Sequence, residues 1–306
     1  MSQIERIRIF QRVAELGSFT QAAESLGLPK ARASTAVQQL EAELGARLFH
    51  RTTRRVQLTQ DGQVFLERSL DVLADLEELQ SMFQAGPEQV LRGRVRVDMS
   101  TGLARRIVIA RLPELLKKHP ELEFEISSTE RRVDLVREGF DCVIRAGGVG
   151  DASLIARPLG ELVLLNCASP AYVRRHGKPR KLEDLTDPGK SNGGHRLVHF
   201  AATLGSRAPG FEYAGGEIAM TGSITVNNAD AYEAACLAGL GIVQAPQLAM
   251  QPLIEAGLLV ELLPEHRAPP MPVQLVYANR RNLSQRLRVV MDWLAQLVTE
   301  SLRAQD

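Results

Sequence analysis

The sequence predicts an α+β protein of several domains, in which a small, mostly helical domain precedes a larger α/β region. In the first sixty residues, apolar side chains recur at helical spacing and lead into a short basic segment with strand-like alternation. From about residue 93 onward, strand-like runs alternate with amphipathic helical runs, as in α/β domains. With 306 residues and 44% hydrophobic content, the chain is long enough to bury a substantial core.

The first helix is predicted from one repeating set of apolar residues. Ile4, Ile7, Phe10 and Val13 recur every third residue, so we expect them to form one buried stripe. Gly17 follows this pattern and is expected to end the helix.

The second helix is predicted from its start signal. Ser18 and Gln21 have the spacing of a capping box, which places the helix at 19–26. Gly27 and Pro29 then mark a tight turn, and the fixed backbone angle of Pro29 suits the first position of a third helix.

The third helix, Lys30 to Leu44, is the candidate DNA-reading helix. Its apolar residues Ala33, Val37, Leu40 and Leu44 are spaced by four, three and four, so they share one face toward the core. The side chains that point away lie near the helix N-terminus, the end that helix-turn-helix proteins present to base edges. These side chains belong to Lys30, Ala31, Ser34, Thr35 and Gln38.

A basic hairpin follows the third helix. Leu48 and Phe49 begin a segment, extending to Leu58, in which apolar residues alternate around a basic turn. Between Leu44 and Leu58 lie four arginines and no acidic residue, although the net charge of the chain is only +1. Positive charge gathered beside a helix-turn-helix favours phosphate binding over a merely solvated surface. The N-terminal region is therefore predicted to bind double-stranded DNA.

A long fourth helix is expected after the hairpin, with Thr59 as its cap and Asp61 in its first turn. An apolar seam continues along it at three- and four-residue steps, and this seam must be covered by the chain itself or by a second copy in a dimer. Gly86-Pro87 and Gly93 are expected to break the helix and form a hinge. The seam consists of Leu66, Leu70, Leu73, Leu76, Leu79 and Phe83.

The remaining residues are predicted to form repeated βαβ units, which favour a mostly parallel sheet. The expected strands are 95–99, 122–126, 141–145, 162–167, 196–200, 224–226, 241–245 and 273–277. The expected helices are 107–118, 133–138, 229–238, 247–256 and 283–302.

Three N-terminal strings carry a family resemblance: GSFTQAAESL at 17–26, VQQLE at 37–41 and LGARLF at 44–49, with Arg51-Thr52 and Leu58-Thr59 behind them. Together they resemble the N-terminal domain of LysR-type transcriptional regulators, and the layout of the remainder is similar with weaker motifs. The resemblance implies a DNA-binding regulator that responds to a small-molecule effector. Its parts would be a winged helix-turn-helix at 1–58, a linker helix and hinge at 59–92, and an effector-binding domain at 93–306.

The resemblance also assigns DNA contacts. Many relatives carry a Ser-Gln-Pro run and a Ser-Arg pair in the reading helix, where this chain has Pro29-Lys30-Ala31 and Ser34-Thr35, so operator bases cannot be copied from them. Arg32 either adds a phosphate contact or is simply solvated. The implied base-facing residues are Lys30, Ala31, Ser34 and Thr35, and those implied for phosphates or the groove beside them are Thr20, Arg32, Gln38, Arg51, Arg54 and Arg55.

For the C-terminal region the resemblance implies a type II periplasmic-binding-protein fold, with lobe I at 93–166 and 265–306, lobe II at 167–264, and a ligand cleft between them. An arginine near a helix N-terminus predicts a small organic anion, a carboxylate, as effector. In the other reading, Ser100 and Asn228 are ordinary helix caps and Arg145 is a structural ion-pair partner. The expected cleft residues are Ser100, Thr101, Arg145, His199, Asn227 and Asn228.

The family resemblance further implies a dimer through the linker helix, with two reading helices ~34 Å apart on successive major grooves, and a tetramer as a dimer of dimers. The sequence has no signal peptide and no apolar run of membrane length, so a cytoplasmic protein without membrane contact is expected.

Two rivals remain: a helix-turn-helix protein with a catalytic α/β domain, as in biotin ligases that double as repressors, and a solute-binding protein of a transport system. No ATP-cradling loop with a catalytic lysine supports the first, and the second requires export.

Cys142, Cys167 and Cys236 lie far apart and the histidines are scattered, so neither a metal site nor a cofactor is expected. The cysteines are predicted to be core residues, with a redox sensor as the alternative.

Overall fold

The structure is a computed structural model that describes residues 1–51, 56–81, 91–135, 137–148, 154–186, 194–207, 209–278 and 283–304. The chain divides into two compact units, Met1–Arg94 and Val95–Asp306.

The N-terminal unit consists of a tri-helical bundle, a two-stranded hairpin and a long helix. Its two strands are antiparallel, with Phe49 opposite Leu58, so the predicted hairpin is confirmed outside its tip. The elements are α1 (Gln3–Leu16), α2 (Phe19–Ser25), α3 (Lys30–Leu44), β1 (Phe49–Arg51), β2 (Val56–Leu58) and α4 (Gln60–Ser81).

Aromatic rings hold this unit together. The ring of Phe10 in α1 lies 5.2 Å from that of Phe49 in β1 and 5.3 Å from that of Phe65 in α4. Phe19 of α2 contacts Phe49 at 5.7 Å. Tilted and edge-on ring pairs at these distances are favourable. One aromatic cluster therefore connects α1, α2, β1 and α4.

Two residues predicted to be buried are exposed. Ile4 is 37% exposed, because each step of three residues falls about 60° short of a full helical turn and so moves away from the buried face. Ile9 is buried instead. Leu44, at the C-terminal end of α3, is 41% exposed. Ala36, between the expected core positions, is fully buried instead.

The helix starts agree with the sequence signals in part. Ser18 caps α2 by accepting a hydrogen bond from the Gln21 N–H at 3.3 Å. Pro29 stands one position before α3, as its N-cap residue, and not at its first position. A complete capping box lies at Ser2 and Glu5, where the sequence analysis did not place one.

The apolar seam of α4 is divided. In the middle of α4, Gln11 of α1 donates to Ser69 at 3.1 Å, and Leu73 is buried. Leu70 and Leu79 are 50% and 59% exposed, so they lie off the covered face. Phe83 and Gly86-Pro87 lie outside the described residues, and Gly93, expected at the hinge, lies within a strand with φ of 94°.

The C-terminal unit begins with a five-stranded sheet in the order β4-β3-β5-β14-β6. β3 and β5 are parallel, whereas β14 runs antiparallel to both β5 and β6. The sheet is therefore mixed and not mostly parallel as predicted. Its strands and first helices are β3 (Arg92–Met99), α5 (Thr101–Leu103), a π-helical turn (Ala104–Val108), α6 (Ile109–Lys118), β4 (Glu121–Ser128), β5 (Cys142–Ala146), β6 (Leu154–Leu162) and β14 (Met271–Ala278).

A second set of strands includes the antiparallel sheet β12-β7-β13 and the parallel pair β11-β8. The expected lobe boundary after Asn166 cuts through β7, which begins at Leu164 and pairs with this second sheet. The elements are β7 (Leu164–Ala168), α7 (Pro170–His176), a 3-10 turn (Leu182–Leu185), β8 (His199–Phe200), β9 (Phe211–Tyr213), β10 (Gly216–Ile218), β11 (Thr225–Val226), α8 (Ala229–Leu237), β12 (Val243–Pro246), α9 (Gln247–Glu255), β13 (Val260–Glu261), a 3-10 turn (Pro264–His266) and α10 (Gln285–Arg303).

The prediction of a helix at 133–138 is wrong. The described residues there form turns, in which Asp134 accepts from the Arg137 N–H at 3.0 Å and Arg131 holds Glu138 with two hydrogen bonds. These local side-chain bonds compete with helix formation. The helix expected at 107–118 begins earlier, at Thr101. Among the described residues, no helix combines the length and the apolar character needed to cross a bilayer.

Candidate nucleic-acid interface and ligand site

The exposed face of α3 is formed by the residues opposite its core face. Ala33, Ala36, Val37 and Leu40 are buried, which fixes the helix on the bundle and turns its other side outward. On that outer side, Ser34 is half-buried and the remaining predicted residues are exposed: Lys30, Ala31, Arg32, Thr35 and Gln38.

The start of α3 is suited to an anion. Pro29 supplies no side-chain cap to the first N–H groups of the helix. The positive end of the helix dipole therefore faces outward beside Lys30 and Arg32, and a DNA phosphate is an acceptor of the kind it favours. The Thr35 hydroxyl donates to the Ala31 carbonyl at 2.9 Å, which fixes its orientation on this face.

The remaining DNA-contact candidates belong to α2 and to the hairpin of β1 and β2, which we call the wing. Thr20 is exposed in the first turn of α2. Arg51 is the last residue of β1 and pairs in register with Val56. Arg54 and Arg55 lie outside the described residues.

Glu41 joins α3 to the wing and was not singled out by the sequence analysis. Its buried carboxylate accepts hydrogen bonds from the backbone N–H groups of Leu48 at 2.8 Å and Phe49 at 3.2 Å. The signal available in the sequence was an acidic residue next to the core residue Leu40, on the face predicted to be buried. Glu41 therefore sets where the wing begins relative to the reading helix.

In the C-terminal unit, the predicted ligand residues that begin helices act as caps. Ser100 accepts from the Leu103 N–H at 3.5 Å, and Asn228 accepts from the Ala231 N–H at 2.8 Å. The Thr101 N–H donates to a Glu130 carboxylate oxygen at 3.1 Å. The capping interpretation of Ser100 and Asn228 thus has direct support in these hydrogen bonds.

Arg145 lies in a compact polar network at the ends of β3, β4 and β5. Its guanidinium forms an ion pair with Asp98 and donates to the Thr129 carbonyl at 2.8 Å, while the Thr129 hydroxyl donates to Asp98 at 3.1 Å. The Asp98 side chain is fully buried and that of Arg145 is 15% exposed. Arg145 is thus paired within the chain, and its charge is balanced by that of Asp98.

Burial governs the ionisation of this network. Removal from water raises the pKa of Asp98 and that of Glu130, although hydrogen bonds and Arg145 act in the opposite direction. Burial also lowers the pKa of Arg145, and Asp98 opposes that shift. Asp98, Thr129 and Glu130 were not predicted as site residues, although all three stand at the end of a predicted strand or shortly after it.

Two ion pairs connect the π-helical turn with α8. Arg106 meets Glu233 at 2.7 Å, with both side chains largely buried, and Arg105 meets Asp230 at 3.2 Å at the surface. These pairs hold the helix that starts after Ser100 against the helix that starts after Asn228. His199 lies in β8, paired with β11, and Asn227 is exposed just before α8.

The three cysteines are buried in the structure, as the sequence predicts. Burial raises the pKa of all three thiols, that of Cys167 to about 12. Within the described ranges, no group of three or more histidine, cysteine, aspartate or glutamate side chains is placed to hold a metal ion.

Comparison with known proteins matches both units to family models. Residues 4–63 match the model described as bacterial regulatory helix-turn-helix protein, lysR family, and residues 88–299 match the LysR substrate binding domain. The uncharacterized HTH-type transcriptional regulator YhjC of Escherichia coli K12 is 42% identical over 99% of this chain and 100% of its own length. An HTH-type transcriptional repressor of Pseudomonas aeruginosa is 33% identical over 98% of this chain and 94% of its own.

A solved structure has a similar fold. CrgA, a LysR-type transcriptional regulator from Neisseria meningitidis, aligns with a TM-score of 0.60 and 27% identity over 96% of this chain and 98% of CrgA.

Proposed function

The chain belongs to the LysR family of DNA-binding transcriptional regulators, which combine a helix-turn-helix with an effector-binding domain, and we propose that it reads its operator with the N-terminal turn of α3. Proteins of this family bind DNA and small-molecule effectors and form oligomers. The observation that carries the proposal is the division of α3 into a buried face and an exposed, basic N-terminal turn.

In this proposal the contacts divide by chemistry. Lys30, Ala31, Ser34 and Thr35 face base edges, because they lie on the exposed side of the first two turns of α3. The wing and the neighbouring residues hold the phosphates, which position the protein without reading sequence. The phosphate contacts are assigned to Thr20, Arg32, Gln38, Arg51, Arg54 and Arg55.

The C-terminal unit is proposed to sense a ligand between two lobes, one built on the five-stranded sheet and one on the second sheet. Ser100, Thr101, Arg145, His199, Asn227 and Asn228 are the proposed lining of this cleft, with Arg145 acting through its network with Asp98. An effector can shift the regulator only by its differential affinity for two arrangements, typically ~1–3 kcal/mol.

We further propose self-association through α4, whose exposed Leu70 and Leu79 offer apolar surface to a second copy. A dimer of this kind would place two reading helices on successive major grooves. We assign the protein to the cytoplasm, where bacterial DNA lies, and give it a sensing and not a catalytic role. Both matched family models describe regulators, which supports that assignment over an enzyme.

The test is binding to the DNA upstream of its own gene, measured by gel shift at several salt concentrations against a scrambled fragment of equal length. We expect a sequence-selective complex that weakens as salt rises. Arg54→Gln should make the slope of log affinity against log salt shallower by about one unit. The control Arg12→Gln removes a partly exposed charge of α1 that pairs with Glu15, and it should leave the slope unchanged. Equal binding to both fragments would overturn the proposal.

A further inference from the structure

Glu130 occupies a position that an anionic ligand would need. Its carboxylate accepts the Thr101 N–H at 3.1 Å, at the start of the helix that follows β3. Glu130 is half-buried, so this bond is partly sheltered from water. The chain therefore supplies its own acceptor to the N–H group on which the expected organic anion would depend.

The other feature that suggested an anion is also engaged. The Arg145 guanidinium donates hydrogen bonds to the Asp98 carboxylate and to both the carbonyl and the hydroxyl oxygen of Thr129. Since Asp98 is fully buried, drawing Arg145 away toward a ligand would leave a buried carboxylate without its cation, which is strongly unfavourable.

The charges of the immediate surroundings support the same conclusion. Asp98 and Glu130 carry two carboxylates against the single guanidinium of Arg145. Arg131 is neutralised by Glu138, to which it donates at 2.9 and 2.5 Å. Arg132 is exposed, and its guanidinium donates to the Gly148 carbonyl at 3.4 Å. Water and salt screen the charge of such an exposed group.

We infer that Glu130 sets the charge class of the effector: the site takes a neutral or cationic ligand that donates hydrogen bonds, such as an amine or an amino alcohol, and rejects organic anions. This inference rests on the proposed function, since it concerns the same ligand site. A carboxylate ligand would face Glu130 and Asp98 in a poorly solvated setting, where like charges repel more strongly than in water. An ammonium or hydroxyl group would instead be attracted by the Glu130 carboxylate, to which it can donate.

The experiment compares ligand classes on the full-length protein and two variants. Thermal unfolding is recorded with a panel of aliphatic and aromatic amines and amino alcohols, and with the carboxylates matched to each in size, for example putrescine against succinate and ethanolamine against glycolate. Glu130→Gln removes the charge but keeps an acceptor and the side-chain volume. Glu123→Gln, an exposed position on β4, removes the same charge outside the network and is the matched control.

We expect one or more members of the amine panel, and none of the carboxylates, to raise the melting temperature of the wild type and Glu123→Gln. In Glu130→Gln the apparent affinity for those amines should fall about tenfold or more, and that for the carboxylates should rise. Stabilisation of the wild type by carboxylates, or the same response of wild type and Glu130→Gln to both panels, including no response, would overturn the inference.

A gel shift of the same variants without ligand separates this inference from the proposed function. Glu130→Gln should bind DNA as the wild type does. If the wild type does not bind DNA selectively, the proposed function is contradicted. The charge selectivity of the ligand site is decided separately, by the melting temperatures alone.

Discussion

The carboxylate of Glu41, a buried residue of α3, accepts the backbone N–H of Leu48 at 2.8 Å. The same oxygen accepts the N–H of Phe49, the first residue of the wing. One side chain thus satisfies two buried donors and fixes the spacing between α3 and the wing, the two parts that we propose contact DNA.

Glu41→Ala should destabilise the N-terminal unit by about 2–4 kcal/mol, because two buried N–H groups lose their acceptor. Glu41→Gln keeps a side-chain oxygen and should cost less. Urea unfolding measures both, with Glu43→Ala as the control, since Glu43 is partly exposed and pairs with Arg6 at 2.8 Å; such pairs contribute about 1 kcal/mol or less. Equal losses in Glu41→Ala and Glu43→Ala would contradict the role given to Glu41.

Gly62→Ala should also loosen the wing. A Cβ at Gly62 would lie 2.0 Å from the Leu48 carbonyl oxygen, a backbone atom that cannot move aside without shifting α4 or the wing. We expect a loss of about 1–3 kcal/mol or more in the free energy of unfolding.

The control for Gly62→Ala is Gly102→Ala. Gly102 is also helical, but nothing lies within 4 Å of its added Cβ, so the change should be neutral or stabilising by about 1 kcal/mol. A Gly62→Ala variant as stable as the wild type would contradict the close approach of Gly62 to the Leu48 carbonyl oxygen.

Arg145→Gln should destabilise the C-terminal unit in a pH-dependent way. At neutral pH the variant leaves Asp98 charged and buried without its cation, which costs about 3–5 kcal/mol. Burial already raises the pKa of Asp98 in the folded protein. A carboxyl of this kind binds more protons folded than unfolded, so its favourable contribution is present at low pH and is lost as the pH rises through the folded pKa.

Loss of the arginine removes a group that favours the charged form of Asp98, so the deficit of Arg145→Gln should be smaller at pH 4.5 than at pH 7.5. Urea unfolding at the two pH values measures it. Arg111→Gln, which breaks an exposed pair with Glu114, is the control and should change stability little. A deficit of the same size at both pH values would show that Asp98 is not the group left unpaired.

The cysteines should be inert in the folded protein. Cys142, Cys167 and Cys236 are buried, and burial raises the pKa of each thiol, so little thiolate is present at neutral pH. A thiol-reactive dye should label them slowly in buffer and all three rapidly in urea. Fast labelling of any of them under native conditions would favour the redox-sensor alternative.

Local signals in the sequence predicted the N-terminal unit well. Helix caps, glycine stops and the apolar periodicity of α3 depend on neighbouring residues, so Ser18, Gly17 and the Lys30–Leu44 span could be placed without a structure. The error at Ile4 came from the strict three-residue step, which drifts off the buried face of the helix, and the error at Leu44 from its place at the C-terminal end of α3.

Long-range pairing could not be predicted. The position of β14 between β5 and β6, and its antiparallel direction, depend on residues more than a hundred positions apart. The partner of Arg145 was missed for the same reason, since Asp98 reaches it only when β3 and β5 are paired. A helix was predicted at 133–138, and the pairing of Arg131 with Glu138 that favours turns there could not be read from the sequence.

The most direct test of the central claim is selection of preferred sites from random duplex DNA by the wild type, Lys30→Ala, Thr35→Ala and the control Arg12→Ala. If the N-terminal turn of α3 reads bases, Lys30→Ala and Thr35→Ala should each change or relax the preferred base at one or two positions, with about 1–3 kcal/mol less discrimination there. Arg12→Ala, on α1, should select the wild-type motif. Identical motifs from all four proteins would contradict the claim that α3 reads the operator.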